Sequence, residues 1–203
     1  MAESEKIKNM SVEDYLTAEE CSNVKHEYVR GRIFAMSGAT EAHNIICGNL
    51  HAVLHAFVKG TGCRVFMNDM KVNVEAADSF YYPDIMVTCE PFDAKCVFKN
   101  SPTLIAEVLS PSTKQIDRRE KLVAYQQLNS LCNYILVHQN QALIEVYRRV
   151  SNDQWVLEKL QRMDELCLDA IAGKSLRIPV STIYDDVVLP SIVKESDELY
   201  ELV

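Results

Sequence analysis

Apolar residues recur along this chain with two periods, and each period predicts a kind of element. Between residues 41 and 59, Ile45, Ile46, Leu50, Val53, Leu54 and Phe57 fall at helical spacing, so a long helix is expected there. Gly60-Thr61-Gly62 ends it. Further on, Met70, Val72 and Val74 alternate with Lys71 and Asn73, the two-residue period of a half-buried strand. Other β-type runs occupy Cys63–Met67, Tyr82–Thr88 and Leu104–Leu109. Asn133–Gln139 and Ala142–Arg148 predict two strands across a turn at His138-Gln139-Asn140-Gln141. Trp155–Leu160 and Ser175–Val180 add shorter strand material.

Local signals fill in the rest. Residues 11–22 predict a short helix, capped by Ser11 with Asp14 and anchored by Tyr15 and Leu16. Two β-type runs in Lys25–Met36 flank Arg30-Gly31 and predict a hairpin. Ser112 with Gln115, or Asp117 with Glu120, supplies a capping box for a helix reaching about Leu128. Tyr184–Val203 carries six acidic side chains against Lys194 and reads as a surface extension without a catalytic role. The order helix, strands, helix, strands predicts an α/β (α+β) chain, a mixed sheet with helices packed on it. No repeat or Pro/Gly/Ser-rich linker divides it. One domain over 1–203 is expected, with its core at about 11–190 and an acidic extension at 191–203.

Composition narrows the function. The 203 residues are 48% hydrophobic and 25% charged, ordinary for a soluble domain. A formal net charge of −8 argues against a protein that coats nucleic acid through a broad basic surface. It leaves room for a local basic patch beside an acidic site. The seven cysteines show no C-x-x-C spacing and lie mostly in apolar runs, so buried, reduced thiols are expected. Met1–Met10 has no apolar segment of the secretory kind, and no apolar run nears the roughly 20 residues of a membrane helix. The cytoplasm is the expected compartment. P-loop, G-x-G-x-x-G and G-x-S-x-G patterns are absent, so kinase, dinucleotide-dehydrogenase and serine-hydrolase readings have no support.

Two carboxylates stand where strands should be apolar. Asp84 lies between Pro83 and Ile85-Met86-Val87, and Glu107 lies inside Leu104–Leu109. A buried carboxylate needs a cation, a hydrogen-bond network or a metal. On neighbouring strands the two could converge, and oxygen ligands suit Mg²⁺ or Mn²⁺. Alternatively, Asp84 caps a turn and Glu107 faces solvent at an edge. Asp117, Lys121 and Tyr125 follow at i, i+4 and i+8, along one helical stripe. Its ammonium could reach the carboxylates, or Asp117 and Lys121 could form an ordinary surface pair.

These segments carry a resemblance. Tyr82-Pro83-Asp84-Ile85-Met86-Val87, Glu107-Val108-Leu109-Ser110-Pro111-Ser112-Thr113 and Asp117-x-x-x-Lys121-x-x-x-Tyr125 resemble the Uma-type restriction endonuclease family of the PD-(D/E)XK nuclease superfamily. The Ser11–Leu16 opening, the Lys25–Met36 hairpin, Gly38, His43-Asn44 and Ile183-Tyr184 extend the likeness over roughly residues 11–190. The resemblance implies a restriction-endonuclease-like core, with a mixed central sheet flanked by helices and an N-terminal helix and hairpin. It implies Mg²⁺-dependent (or Mn²⁺-dependent) endonuclease hydrolysis of phosphodiester bonds, with DNA the expected substrate, and a homodimer by analogy. Asp84 and Glu107 would be catalytic metal ligands, with Val108 lending its backbone carbonyl. The E-x-K lysine should stand at position 109, which is Leu109; Lys121 from the following helix would replace it.

His43 and Glu41, near the start of the long helix, are possible accessory residues with Asp117 and Tyr125, and Glu27 on the hairpin is a further candidate. Lys114, Arg118 and Arg119 are candidate nucleic-acid contacts beside Lys121, or else a solvated helix face. His51 and His55 have a zinc-compatible i, i+4 spacing without an evident third ligand. Two rival readings remain open: a catalytically inactive nucleic-acid- or protein-binding module on the same fold, and a purely structural salt-bridge network.

Overall fold

The structure, a computed structural model, describes residues 9–110, 116–152 and 154–190. Helix α1 (Val12–Glu20) opens it, with the Ser11 side chain accepting from the Asp14 N–H, as the capping pattern predicts. Strands β1 (His26–Val29) and β2 (Arg32–Ala35) form the expected hairpin. Its two turn residues both have positive φ, 49° at Arg30 and 82° at Gly31, the geometry that fits the twist of a two-residue hairpin. Glycine is needed at 31 for a second reason: a Cβ there would meet Asn9 Cβ at 2.7 Å.

Helix α2 (Glu41–Val58) follows, capped by the Thr40 side chain. Then come β3 (Arg64–Met67), β4 (Lys71–Val74), a 3₁₀ turn, β5 (Ser79–Tyr81), β6 (Ile85–Thr88), β7 (Phe98–Lys99) and β8 (Pro102–Leu109). After β8, a five-residue π-helical stretch, Asp117–Lys121, runs into α3 (Leu122–Tyr125). The chain continues with β9 (Asn133–His138), β10 (Leu143–Ser151), β11 (Gln154–Gln161), β12 (Glu165–Ile171), β13 (Lys174–Pro179) and α4 (Val180–Ile183).

The central sheet has six strands in the order β11-β10-β9-β8-β6-β3. It is mixed: β8 and β9 are parallel and the other neighbours antiparallel. A parallel pair needs a crossover, which the α3 segment supplies. One face, including Ile85, Val87, Leu104, Ala106 and Val108, packs on Ile46, Leu50, Leu54 and Val58 of α2. Truncating Leu50 to alanine at this seam costs about 3 kcal/mol by the usual large-to-small penalty. The other face, including Met86, Ile105, Leu109, Tyr134 and Leu136, packs on Ala124 and Tyr125 of α3 and on Val72, Val74 and Tyr81 of a second sheet. That five-stranded sheet, β2-β1-β5-β4-β7, brings the hairpin to the core. This is the mixed α+β, restriction-endonuclease-like architecture that the resemblance implies.

Several expectations need correction. Strands β5, β7 and β12 are additions that the pattern does not predict, and the first two are only three and two residues long. Asp117 does not cap a helix: Ile116 precedes it in helical conformation, and the Asp117 carboxylate turns inward to Lys121. The alternative cap at Ser112 and Gln115 lies outside the described residues, as do Lys114 and the extension 191–203. Tyr184 does not begin a surface extension. It is buried, with its hydroxyl 2.7 Å from the His138 carbonyl and 2.8 Å from that of Leu143. The cysteines are not all free, buried thiols. Pairing of Arg64 with Thr88 sets Cys63 opposite Cys89, and these two form a disulfide, while Cys21 is exposed. Among the described residues, no helix is long and apolar enough to cross a membrane.

Candidate functional site

The β6–β8 ladder places the two strand carboxylates. It pairs Ile85 with Ala106 and stops there, so Asp84 and Glu107 sit at the first step beyond it. Asp84 supplies a hydrogen-bond acceptor where the ladder has none: its Oδ2 accepts from the Val108 N–H at 2.7 Å. Its own N–H donates to Glu107 Oε2 at 3.3 Å. The two acids therefore stand side by side on adjacent strands, and neither caps a turn or faces open solvent.

Alternation turns Glu107 to the α3 face of the sheet, where the helical stripe meets it. Lys121 Nζ lies 3.2 Å from Glu107 Oε1, and the Tyr125 hydroxyl donates to the same oxygen at 3.0 Å. The ammonium also lies 3.4 Å from Asp117 Oδ1 and 2.9 Å from Glu27 Oε1. Lys121, Glu107 and Asp117 are each at most 4% exposed, so this is no surface pair. Leu109, where the superfamily lysine would stand, is buried among apolar neighbours. Tyr125 is wedged edge-on between Tyr81 and Tyr134, which fixes its hydroxyl.

Two further elements close the group. Glu27 arrives on the hairpin and accepts from the Tyr82 N–H at 3.2 Å, one residue before Pro83. Its direct contact with Lys121 depends on how the second sheet docks on the first, a relationship that the local pattern of the hairpin does not encode. His43 arrives on the first turn of α2, with Nε2 3.1 Å from Asp84 Oδ2. Behind it, Cys47 Sγ lies 3.6 Å from His43 Nδ1. Burial, reinforced by the Asp84 and Glu107 charges, pushes the Cys47 thiol up.

The other candidates lie differently. Glu41 is exposed, and no hydrogen bond or ion pair among the described residues joins it to this group. Arg118 is engaged with Glu145 and with His138 Nε2, the latter at 3.0 Å, and Arg119 is exposed. His51 and His55 stack with ring centroids 5.7 Å apart, and no third ligand joins them among the described residues.

The electrostatics are lopsided. Glu27, Glu107 and Asp117 converge around one ammonium, and Asp84 stands beside Glu107, paired with His43. Burial works against the Lys121 charge, but Glu107, Glu27 and Asp117 overcome it and hold its pKa well above the usual range. Burial pushes the Glu107 carboxyl well above its ordinary value; Lys121 opposes this, and Asp84, Asp117 and Glu27 add to it. One ammonium does not neutralise the three carboxylates around it, and Asp84 stands beside them, so the donor set fits a further cation. Asp84 and Glu107, side by side on adjacent strands, could supply oxygen ligands of the kind a hard divalent ion takes.

The Uma2 family, described as "Putative restriction endonuclease", matches residues 12–181. The chain belongs to this family. Two uncharacterized proteins of Synechocystis sp. are related over most of their length. One is 34% identical over 172 residues, covering 84% of this chain and 90% of its own. The other is 32% identical over 156 residues, covering 75% and 88%. Among solved structures, a "putative nuclease belonging to DUF820" from Anabaena variabilis shares the fold. Its TM-score is 0.73 at 18% identity, over 88% of this chain and 99% of that one. Membership of the Uma2 family supports a nuclease-like protein. The roles of individual residues rest on the geometry above.

Proposed function

We propose that this chain is a divalent-metal-dependent endonuclease of the PD-(D/E)XK type, hydrolysing phosphodiester bonds in nucleic acid, with DNA the expected substrate. One observation carries the reading: three carboxylates surround a buried ammonium, and one of them, Glu107, stands beside a fourth, Asp84, on the adjacent strand. Asp84 and Glu107 would hold Mg²⁺ or Mn²⁺. In a strand the N–H and C=O of one residue face the same neighbour, so the Val108 carbonyl turns toward Asp84 with its N–H and can serve as a third ligand. The ion, when bound, lowers the pKa of a water and polarises the scissile phosphate.

The residues of this chain supply the rest. Lys121 stays protonated, orients the attacking water and offsets the charge that develops on phosphate. Asp117 and Glu27 hold that ammonium in place, and Tyr125 holds Glu107 Oε1 beside it. His43 donates to Asp84 Oδ2, which leaves Oδ1 for the ion. Arg119, exposed on the outer face of the same helical segment, would meet the phosphate backbone with Lys114, and Arg118 would contribute from beside Glu145. We read residues 11–190 as one domain that acts in the cytoplasm, as a homodimer whose symmetry matches that of a duplex.

The test is incubation with supercoiled, linear and single-stranded DNA and with RNA, in Mg²⁺, Mn²⁺ or EDTA. Cutting that needs the metal supports the reading, and the substrate cut names its class. A folded protein that binds the ion and cuts nothing is the binding module instead.

A further inference from the structure

His43, Cys47 and Asp84 come together in a way that hydrolysis by a hard-metal site does not require. His43 and Cys47 are four residues apart, so one turn of α2 brings them to the same face. Cys47 Sγ lies 3.6 Å from one ring nitrogen of His43, and the other ring nitrogen lies 3.1 Å from Asp84 Oδ2. One candidate ligand atom from each residue lies within 4.8 Å of the other two. Among the described residues, no other His, Cys, Asp and Glu side chains converge in this way.

The mixture of donors is informative. Mg²⁺ takes oxygen ligands and keeps much of its water, so a thiol adds nothing to its site. A thiolate, an imidazole and a carboxylate together make the ligand set of a borderline-soft ion such as Zn²⁺. Three protein ligands leave one tetrahedral position open, as in catalytic zinc sites. The scaffold is already fixed: Thr40 caps the helix that carries His43 and Cys47, and the Val108 N–H holds Asp84.

We propose that His43, Cys47 and Asp84 form a second metal subsite, taking Zn²⁺ or a similar borderline-soft divalent ion and sharing Asp84 with the hard-oxygen site. Binding releases the Cys47 thiol proton to solvent and replaces the hydrogen bonds that now join the three side chains. Because the two sites share one carboxylate, an ion in the soft subsite competes with Mg²⁺ for Asp84. The thiol thus makes this centre responsive to thiophilic metals, a property that a hard-oxygen site alone lacks.

Co²⁺ is the probe, because a thiolate bound to it gives near-ultraviolet charge-transfer absorption that oxygen and nitrogen ligands do not. The reading needs protein and metal only, so it stands whether or not the chain cuts nucleic acid. The reduced wild-type protein is expected to develop the band and saturate at one ion per chain. The band is lost in Cys47→Ser and in Cys47→Ala, the second variant guarding against a packing defect peculiar to serine, with folding checked by far-ultraviolet circular dichroism. It persists in Glu107→Gln, because Glu107 is not a ligand of this subsite. No band in the wild type, or a band that survives both Cys47 substitutions, overturns the proposal. Loss of the band in Glu107→Gln with the fold intact also overturns it, since the thiolate-bound ion then depends on Glu107 and the ligand set is not His43, Cys47 and Asp84.

Discussion

Lys121 meets Glu107 from a helix and not from the strand: Nζ lies 3.2 Å from Glu107 Oε1, while Leu109, two residues along from Glu107, is buried in the apolar core. On the proposed PD-(D/E)XK reading, the E-x-K arrangement is thus divided between two elements. A lysine at position 109 would have to displace packed apolar side chains. One reaching across from the π-helical stretch comes with Asp117, which lies beside it on the same turn. Single π-turns are often found at functional sites, and here the turn aims two charged side chains inward.

Replacing Lys121 by methionine removes the one ammonium that the described residues bring to this cluster and leaves Glu107, Asp117 and Glu27 without it. The expected cost is about 3 kcal/mol of stability, the usual result of breaking a buried pair from one side. Cleavage should fall by about 10²–10³, typical for loss of a donor that stabilises developing charge. Thermal unfolding and cleavage rates check both. Divalent metal should restore part of the lost stability, since it supplies positive charge to the same carboxylates. Unchanged stability would mean that the ammonium does not sit where the structure puts it.

Protons and metal should compete at Glu107. Its carboxyl is raised on folding, so the folded, metal-free protein binds more protons than the unfolded chain. The stability this contributes is complete below the ordinary glutamate value of about 4.3 and is lost as pH rises through the higher folded value. An ion that takes the carboxylate expels that proton, so metal affinity should rise with pH across the same window. Calorimetry of Mn²⁺ binding in two buffers of different ionisation enthalpy checks this. Binding without proton release would contradict it.

The helix of Ile46, Leu50 and Leu54 was legible because burial of one face imposes a period, and the strands around Asp84 and Glu107 because burial on both faces makes a continuous apolar run. The two acids showed themselves by standing in or beside those runs. Glu27 did not, since its role arises from docking between two sheets far apart in sequence. The same is true of Cys63 and Cys89, 26 residues apart, which only the β3–β6 register brings together. Strands β5 and β7 are too short to carry a period of their own.

Tyr184 offers a contrast between packing and chemistry. Its buried hydroxyl serves the carbonyls of His138 and Leu143 and accepts from the Leu143 N–H at 3.3 Å, which ties the residues after α4 to the turn between β9 and β10. Tyr184→Phe should cost about 1–3 kcal/mol, the penalty for buried polar groups left unpaired. Mn²⁺ affinity should not change, because no contact links this hydroxyl to Asp84 or Glu107. Denaturant unfolding and a metal titration separate the two. A weakened metal site would show that Tyr184 acts beyond its local anchor.

The most direct measurement compares wild type and Asp84→Asn side by side, in Mg²⁺ and in EDTA, on the same nucleic-acid substrate. Asparagine keeps the size of the side chain and an oxygen for the Val108 N–H, so the fold should survive, but the charge that holds the ion is gone. Metal-dependent cleavage in the wild type, lost by at least about 10² in the variant with its fold intact, is the predicted result. Equal cleavage by both proteins, or cleavage that persists in EDTA, would contradict a metal-dependent nuclease site built on Asp84 and Glu107.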